Sequence, residues 1–268
     1  MRRSLALFGL LLSLGATPGC VDLDAFVHGA VHCSSVGPAT CEEKGEWDAL
    51  CLPCETPLDF GREYPWMEGT LAEGETVRPI DPALVTAHRI PTEDGEGELD
   101  AYFIAAHGDD PELAGITILY HHGNYGGLEH YLPRLRFLHE LGYTIFAWDF
   151  RGYGKSEPAT TPTPLQFLAD ARQVRALADT LAPDPERILL YGYSLGAIPA
   201  IEASLADPGC ALFLEAPFTS VRKIVRSSSG LGLPPGYLSA GHYENTEKIR
   251  GYAGPLLVMH GANDRLFP

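Results

Sequence analysis

The feature that most constrains the fold is the alternation, from residue 116 onward, of short apolar runs with stretches of helical periodicity. Such apolar runs predict buried strands, and they lie at 116–120, 143–150, 187–191, 211–215 and 255–259. Apolar residues at helical spacing lie between them at 128–141, 164–181 and 195–206. Repeated strand–helix units form a mostly parallel sheet with helices on both faces. The sequence therefore predicts an α/β fold.

Local signals refine this prediction at three places. Residues 86–90 and 98–106 flank a Gly-containing turn and predict a β-hairpin before the alternating region. Thr163 as N-cap, followed by Pro164, predicts the start of a helix. Residues 218–250 interrupt the alternation with Ser-rich and Pro-rich segments. We expect this stretch to be a lid insertion over the sheet edge where ligands of such folds bind.

Composition and charge exclude some classes of function. The 268 residues are 45% hydrophobic, enough to bury one sizeable core. The formal net charge is -16, and a field of that sign repels nucleic acids and anionic lipid surfaces. We therefore expect no nucleic-acid partner.

The N-terminus has the pattern of an export signal. A basic segment at residues 2–3 precedes an apolar stretch at 5–14 that is too short to span a bilayer comfortably. Residues 1–19 are therefore predicted to be a signal peptide of the general secretory route. Gly19-Cys20 resembles the lipobox of bacterial lipoproteins, which implies lipidation of Cys20 and a location in the bacterial cell envelope. Simple secretion and a hydrophobic N-terminal helix are the alternatives.

Residues 20–82 are predicted to form a Cys-rich extension and connector. An oxidising compartment would allow two disulfides among its four central cysteines, with three possible connectivities. These cysteines are Cys33, Cys41, Cys51 and Cys54. Zinc is the alternative, because Cys51 and Cys54 have ligand-like spacing and His32 lies nearby in the sequence. Disulfides are preferred in an exported chain, and no metal or other cofactor is predicted.

The segment Gly192-Tyr193-Ser194-Leu195-Gly196 matches the pattern G-x-S-x-G. It directly follows a predicted strand and precedes a predicted helix, where flanking glycines permit a sharp turn that exposes the serine. Ser194 is therefore the candidate nucleophile, and the backbone amide of Leu195 the candidate oxyanion donor. An ordinary Gly-rich turn is the alternative.

A second Gly-containing loop, at residues 121–127, follows the strand that ends at Tyr120. Such a loop brings another backbone amide to the same oxyanion. Asn124 is the candidate donor, and Tyr125 is the alternative one residue further along. A purely structural loop is also possible for this segment, in which His122 braces the loop.

Four motifs now stand in one order along the chain. They are His122-Gly123-Asn124, the D-x-R-G-x-G-x-S segment at residues 149–156, the Ser194 turn and the segment His260-Gly261-Ala262-Asn263-Asp264. Over residues 98–268 the chain resembles the α/β-hydrolase superfamily, in the branch that carries these motifs. The resemblance implies the α/β-hydrolase fold and a serine hydrolase related to esterases and peptidases.

The resemblance also implies roles for several acidic and basic residues. Asp264 occupies the position of the acid that orients the catalytic histidine. Glu215, after the preceding strand, is the alternative acid. Asp149 and Arg151 are expected to shape their loop and to take no part in catalysis. Cys210, at the start of an apolar run, is expected to be a buried free thiol.

The sequence departs from the family after Asp264, since no histidine follows this residue before Pro268. A serine without a positioned base is a weak nucleophile. The family's last strand and helix would also be missing. We therefore expect an incomplete copy of a longer protein. The alternatives are a natural truncated pseudoenzyme or a base supplied by His260 or His242.

The sequence thus predicts a hydrolase domain over residues 83–268. The expected activity is cleavage of an ester, thioester or similar acyl bond of a small acyl substrate through an acyl-enzyme on Ser194. Membrane contact is expected only through the lipid anchor, and the oligomeric state is left open. The alternative function is a non-catalytic binding or scaffolding lipoprotein whose residues 20–82 contact a partner.

Overall fold

A computed structural model describes residues 32–33, 54, 58–61, 78–108, 110–220 and 243–264. Several predictions fall outside the described residues: the signal peptide at 1–19, Cys20, Cys41, Cys51 and residues 221–242, which make up most of the lid predicted at 218–250 and include His242. Within the described ranges, no helix has the length and apolar character needed to cross a membrane.

Seven strands form one sheet in the order β1-β2-β4-β3-β5-β6-β7. They are β1 Val85–Pro91, β2 Glu98–Ile104, β3 Thr117–His121, β4 Thr144–Trp148, β5 Ile188–Tyr193, β6 Ala211–Glu215 and β7 Leu256–Met259. The pairs β1–β2 and β2–β4 are antiparallel, and the other pairs are parallel. The predicted hairpin and mostly parallel sheet are both confirmed.

The α-helices of the described residues connect these strands. They are α1 Pro111–Ala114, α2 Leu132–Glu140, α3 Pro164–Leu181, α4 Ala197–Ala206 and α5 Asn245–Lys248. At the start of α3, Thr163 Oγ1 accepts a hydrogen bond from the Gln166 amide at 3.3 Å, and Gln166 Oε1 accepts one from the Thr163 amide at 2.9 Å. This reciprocal cap explains why the helix begins where the sequence predicted.

Two predicted helices begin with a different geometry. The first turns are 3₁₀ segments, Leu128–Tyr131 before α2 and Ser194–Gly196 before α4. Helical periodicity does not distinguish a tight 3₁₀ turn from an α-helical one over a single turn. These two segments bring the Gly-rich loop and the Ser194 turn to the same end of the sheet.

Each face of the sheet carries its own apolar core. On one face, Phe167 and Val174 of α3 and Ile198 of α4 pack against strand residues such as Phe146. On the other face, α2 packs with a part of the N-terminal extension. That part contributes Leu58, Phe60 and Ile80. The expected helices on both faces are therefore confirmed, and residues of the extension belong to the core that covers this face of the sheet.

A disulfide joins Cys33 and Cys54, whose Cα atoms lie 5.3 Å apart. The Cys33 amide donates a hydrogen bond of 2.8 Å to the carbonyl oxygen of Gly154. One pairing of the predicted disulfide framework is thus established, and it holds Cys54 in a disulfide where the zinc alternative needed a thiolate. Cys210 is a free thiol directly before β6, as predicted, but it is half-buried and not buried, because it precedes the strand.

Replacing both Cys33 and Cys54 with serine is expected to lower the free energy of unfolding by about 3 kcal/mol. The disulfide joins residues 21 apart in the sequence and so restricts the conformations open to the unfolded chain. Chemical denaturation of wild type and variant measures the change. Cys210→Ser is the matched control, since this thiol forms no disulfide. An unchanged midpoint in the double variant would show that the disulfide does not stabilise the fold.

Candidate active site

The Ser194 turn is a strained connection between β5 and α4. Ser194 has a φ of 52°, in the left-handed region that non-glycine residues rarely adopt. A Cβ atom on Gly192 would lie 2.7 Å from the Gly196 carbonyl oxygen, and one on Gly196 would overlap the His121 carbonyl group. Both flanking glycines are therefore required, as the G-x-S-x-G pattern predicts.

Ser194 lines a cavity of about 360 Å³ at the carboxyl edge of the parallel strands. The loops after β3, β5, β6 and β7 supply its walls. The lining residues are Asn124, Tyr125, His130, Tyr131, Tyr193, Ser194, Ala216 and Asp264. The structure therefore brings together the predicted nucleophile, one predicted oxyanion donor and the predicted acid, at the edge where ligands of open α/β sheets bind.

The loop after β3 contains the two candidate amides for the oxyanion. The Tyr125 amide donates a hydrogen bond to the Tyr131 hydroxyl at 3.3 Å. Because that amide has a partner within the protein, Asn124 is the better candidate for the first donor. Leu195, the candidate for the second, directly follows Ser194, and its side chain is buried in the core.

His122 holds this loop in place through two hydrogen bonds and a stacked aromatic ring. Its Nε2 atom accepts a hydrogen bond from the Phe150 amide at 3.2 Å, so Nδ1 carries the proton that is donated to the Gly123 carbonyl oxygen at 2.7 Å. The ring stacks on Phe150 with centroids 3.8 Å apart. Burial lowers the pKa of His122 to about 3. His122 is therefore a neutral structural residue.

The D-x-R-G-x-G-x-S segment also has structural contacts. Asp149 Oδ1 accepts a hydrogen bond from the Leu128 amide at 2.7 Å, which ties the segment to the loop after β3. Burial raises the pKa of Asp149 well above its usual value. Arg151 makes two hydrogen bonds, of 2.7 and 3.0 Å, to Asp170. The described residues that line the cavity include neither Asp149 nor Arg151.

The two candidate acids have different surroundings. Asp264 lines the cavity, and its Oδ2 atom lies 3.4 Å from His260 Nε2. Glu215 accepts hydrogen bonds of 2.6 and 2.8 Å from Arg134 and a further one from the Tyr191 hydroxyl. Glu215 thus forms an ion pair with Arg134 of α2. Asp264 is the better candidate for the acid, because it lines the cavity that contains Ser194.

Sequence reasoning missed four of the residues that line this cavity: His130, Tyr131, Tyr193 and Ala216. Tyr131 lies within the helix predicted at 128–141. It is buried in the core as that prediction implies, but it belongs to the 3₁₀ turn before α2 and also borders the cavity. Tyr193 occupies the first variable position of G-x-S-x-G, where the motif alone specifies no residue type.

The neutral state of His121 makes stability depend on pH. Its Nδ1 atom accepts a hydrogen bond from Trp148 Nε1 at 3.0 Å, and burial lowers the pKa of His121 to about 3. The unfolded chain protonates this imidazole below about pH 6.5, whereas the folded protein does so only near pH 3. The stability that His121 contributes is therefore present above pH 6.5 and is lost as the pH falls.

Between pH 7 and pH 5 the wild type is expected to lose about 2 kcal/mol more stability than His121→Gln, which keeps an acceptor and does not titrate. Urea denaturation of both proteins at the two pH values measures this difference. Any destabilisation by the substitution that is equal at the two pH values cancels, because each protein is compared with itself at pH 7 and pH 5. Parallel pH dependences would contradict the assignment of His121 as a buried neutral base.

Comparison with curated proteins shows similarity to uncharacterized and enzymatic relatives. The chain is 31% identical over 184 residues to the uncharacterized protein YfhR of Salmonella typhimurium, covering 63% of this chain and 61% of that protein. It is 30% identical over 172 residues to the lysophosphatidylserine lipase ABHD12 of Danio rerio, covering 57% and 44%. The chain spans less than two thirds of the length of either relative.

Solved structures share the architecture. The Pyrococcus furiosus esterase Pf2001 matches with a TM-score of 0.55 and 23% identity, over 72% of this chain and 77% of that one. Est1E from Butyrivibrio proteoclasticus matches with a TM-score of 0.54 and 23% identity, over 68% and 81%. Likeness at this identity shows the fold alone. The family model described as "Alpha/beta hydrolase family" matches residues 118–267. The chain therefore belongs to the alpha/beta hydrolase family.

Proposed function

We propose that this protein is an exported serine hydrolase that cleaves an ester, thioester or similar acyl bond through an acyl-enzyme on Ser194. The observation that carries the proposal is the strained Ser194 turn, with φ 52°, whose serine lines the same cavity as Asn124 and Asp264. Strain of this kind persists where the surrounding structure holds it and is concentrated at active sites. The similarity to a lysophosphatidylserine lipase supports an acyl bond as the target.

The proposed reaction has two acyl-transfer steps. Ser194 Oγ attacks the carbonyl carbon of the substrate while its proton passes to an imidazole that Asp264 orients. We propose that a histidine outside the described residues supplies this imidazole. The amides of Asn124 and Leu195 donate hydrogen bonds to the oxygen that becomes negatively charged. The imidazolium then protonates the leaving group as its bond to the acyl carbon breaks. Water attacks the acyl-enzyme in the same way, and the proton returns to Ser194.

Export and lipid anchoring form part of the same proposal. Their support is the signal-like residues 1–19, the Gly19-Cys20 pair and the Cys33–Cys54 disulfide, which suits an oxidising compartment. We propose that Cys20 carries the lipid and that the hydrolase domain lies at a membrane of the cell envelope. Metabolic labelling with an alkynyl fatty acid tests this, and labelling that survives Cys20→Ala would contradict it.

The direct test of the proposed chemistry is reaction of the full-length gene product with a fluorophosphonate, followed by mass spectrometry of the peptides. Phosphonates trap serines whose attack is assisted by a base and an oxyanion site. We expect the phosphonyl group on Ser194 and on no other serine. A folded protein that stays unmodified would overturn the hydrolase proposal.

A further inference from the structure

The hydroxyl group of Tyr131 contacts the loop after β3 on both sides of Asn124. The Tyr125 amide donates a hydrogen bond to this hydroxyl at 3.3 Å. A Cβ atom on Gly123 would lie 2.7 Å from the same oxygen, so the Gly123 backbone packs directly against it. Tyr131 therefore holds the residues immediately before and after Asn124, the candidate for the first oxyanion donor.

The peptide group between Gly123 and Asn124 is held from its carbonyl side. His122 Nδ1 donates a hydrogen bond of 2.7 Å to the Gly123 carbonyl oxygen, and His122 is fully buried. In a planar trans peptide the C=O and N–H bonds point in opposite directions, so the Asn124 N–H points away from the His122 ring. Asn124 lines the cavity, and no backbone hydrogen bond joins its amide to another described residue. This amide is therefore oriented to donate to a bound molecule.

The next amide along the loop is bonded within the protein. Tyr131 is 7% exposed, and burial raises the pKa of its hydroxyl well above the usual value. The hydroxyl is therefore neutral over the working pH range and offers an oxygen that accepts the Tyr125 N–H. A shift of the loop by one residue would break this hydrogen bond and leave a poorly hydrated amide, which is costly. The bond thus selects Asn124 over Tyr125 as the amide that faces a substrate.

The ring of Tyr131 also connects the loop with the Ser194 turn. Tyr193, the residue before Ser194, packs against Tyr131 edge to face with ring centroids 6.0 Å apart. A Cβ atom on Gly123 would lie 3.0 Å from the Tyr193 ring. The guanidinium of Arg134 lies 4.0 Å from the centroid of the Tyr193 ring. Two closely packed rings therefore fix the spacing between the loop and the nucleophile turn.

We propose that Tyr131 is a positioning residue of the oxyanion site, whose hydroxyl holds the Tyr125 amide and thereby presents the Asn124 amide to the substrate. The effect is larger in the transition state than in the bound substrate, because negative charge on the carbonyl oxygen develops only as the bond to Ser194 forms. This inference rests on the proposed function, since it concerns the same reaction. Tyr131 acts through the backbone of the loop and needs no contact with the substrate.

Tyr131→Phe tests the proposal on the full-length protein, because it removes the hydroxyl and keeps the ring. With 4-nitrophenyl butanoate we expect kcat to fall about tenfold and KM to change less than about twofold, since a misdirected amide weakens mainly the binding of the developed charge. Tyr102→Phe is the matched control. Tyr102 is also buried, and its hydroxyl accepts a hydrogen bond from the Leu58 amide at the same 3.3 Å, away from the residues that line the cavity. This control should keep the wild-type kcat.

A second substrate separates positioning from a general structural defect. It is the thionoester O-(4-nitrophenyl) butanethioate, in which sulfur, a weak acceptor, replaces the carbonyl oxygen. The wild type should hydrolyse the oxygen ester faster, relative to the thionoester, than Tyr131→Phe does. We expect this ratio of kcat/KM values to fall about fivefold in Tyr131→Phe, because only the oxygen ester uses the oriented amide fully. Tyr102→Phe should keep the wild-type ratio.

The outcomes separate the Tyr131 proposal from the proposed function. Chemical denaturation first shows that Tyr131→Phe and Tyr102→Phe are both folded. If a fluorophosphonate modifies Ser194 but Tyr131→Phe keeps the wild-type ratio of the two substrates, the Tyr131 proposal alone is overturned. A loss of rate that is equal for both substrates has the same consequence. If the reagent leaves Ser194 unmodified in the folded wild type, the proposed function fails as well.

Discussion

Ser194→Ala is expected to abolish phosphonate labelling and to lower kcat for ester hydrolysis by at least about 10³-fold, because the substitution removes the only atom that forms the acyl-enzyme. The remaining activity would come from the oxyanion amides acting on water. The fold should be retained, since alanine keeps the Cβ atom that already occupies the left-handed turn. Initial rates with 4-nitrophenyl butanoate, together with thermal unfolding, measure both effects.

Ser204→Ala is the matched control for this variant. Ser204 is buried in α4, where its hydroxyl donates a hydrogen bond of 2.8 Å to the Ile201 carbonyl oxygen, and it does not line the cavity. Its turnover and labelling should match those of the wild type. If Ser194→Ala changes neither labelling nor turnover, a non-catalytic binding role becomes the better account of this protein, and binding of a partner by residues 20–82 should be tested first.

Asp170→Ala is expected to lower the free energy of unfolding by about 3 kcal/mol, since it leaves a buried guanidinium without its main partner. Asp170 is fully buried and Arg151 is 1% exposed. Their two hydrogen bonds tie α3 to the loop after β4. Asp94, 2.6 Å from the same guanidinium, supplies part of the compensation and keeps the expected loss near the lower end for buried pairs. Chemical denaturation measures the loss.

Glu247→Gln provides the surface counterpart of this experiment. The Glu247–Arg250 pair is 3.3 Å apart, and both side chains are well exposed. Exposed pairs of this kind contribute roughly 0–1 kcal/mol, so this variant should unfold close to the wild type. A small effect of Asp170→Ala, similar to that of Glu247→Gln, would show that Arg151 finds water or another acceptor when its partner is removed.

The strand and helix pattern was predictable because it depends on local chemistry. Alternating and continuous apolar runs predicted all seven strands of the described sheet to within a few residues, and the Thr163 cap marked the start of α3. The 3₁₀ turns before α2 and α4 were not predicted. Their geometry depends on the position at which the preceding loop joins the helix, and that position is set by the tertiary structure. The short helices α1 and α5 were missed for the same reason, since four residues carry too little periodicity.

The candidate site was predictable only where a motif needs a particular backbone. The sharp turn at Ser194 requires glycine on both sides, and this requirement is visible in the sequence. The contacts of Glu215 with Arg134 and Tyr191 join residues far apart along the chain, so no local pattern indicated that an ion pair occupies this carboxylate. His130 was missed for another reason: it lies in a segment predicted as a helix, and the 3₁₀ turn there brings it to the wall of the cavity.

The sequence by itself determined the α/β class and the position of the sharp Ser194 turn, because strand propensity, helix caps and glycine requirements act over a few neighbouring residues. The order of the four motifs carried the resemblance to the family. Only the tertiary structure decided which distant groups meet. It joined Cys33 to Cys54 and placed Asn124 and Asp264 in the wall of the cavity that Ser194 lines. It also placed in that wall His130, whose Nδ1 atom lies 3.3 Å from Glu129 Oε1. These choices depend on the order in which parallel strands pair, which aligns their carboxyl ends and brings together loops that are remote in sequence.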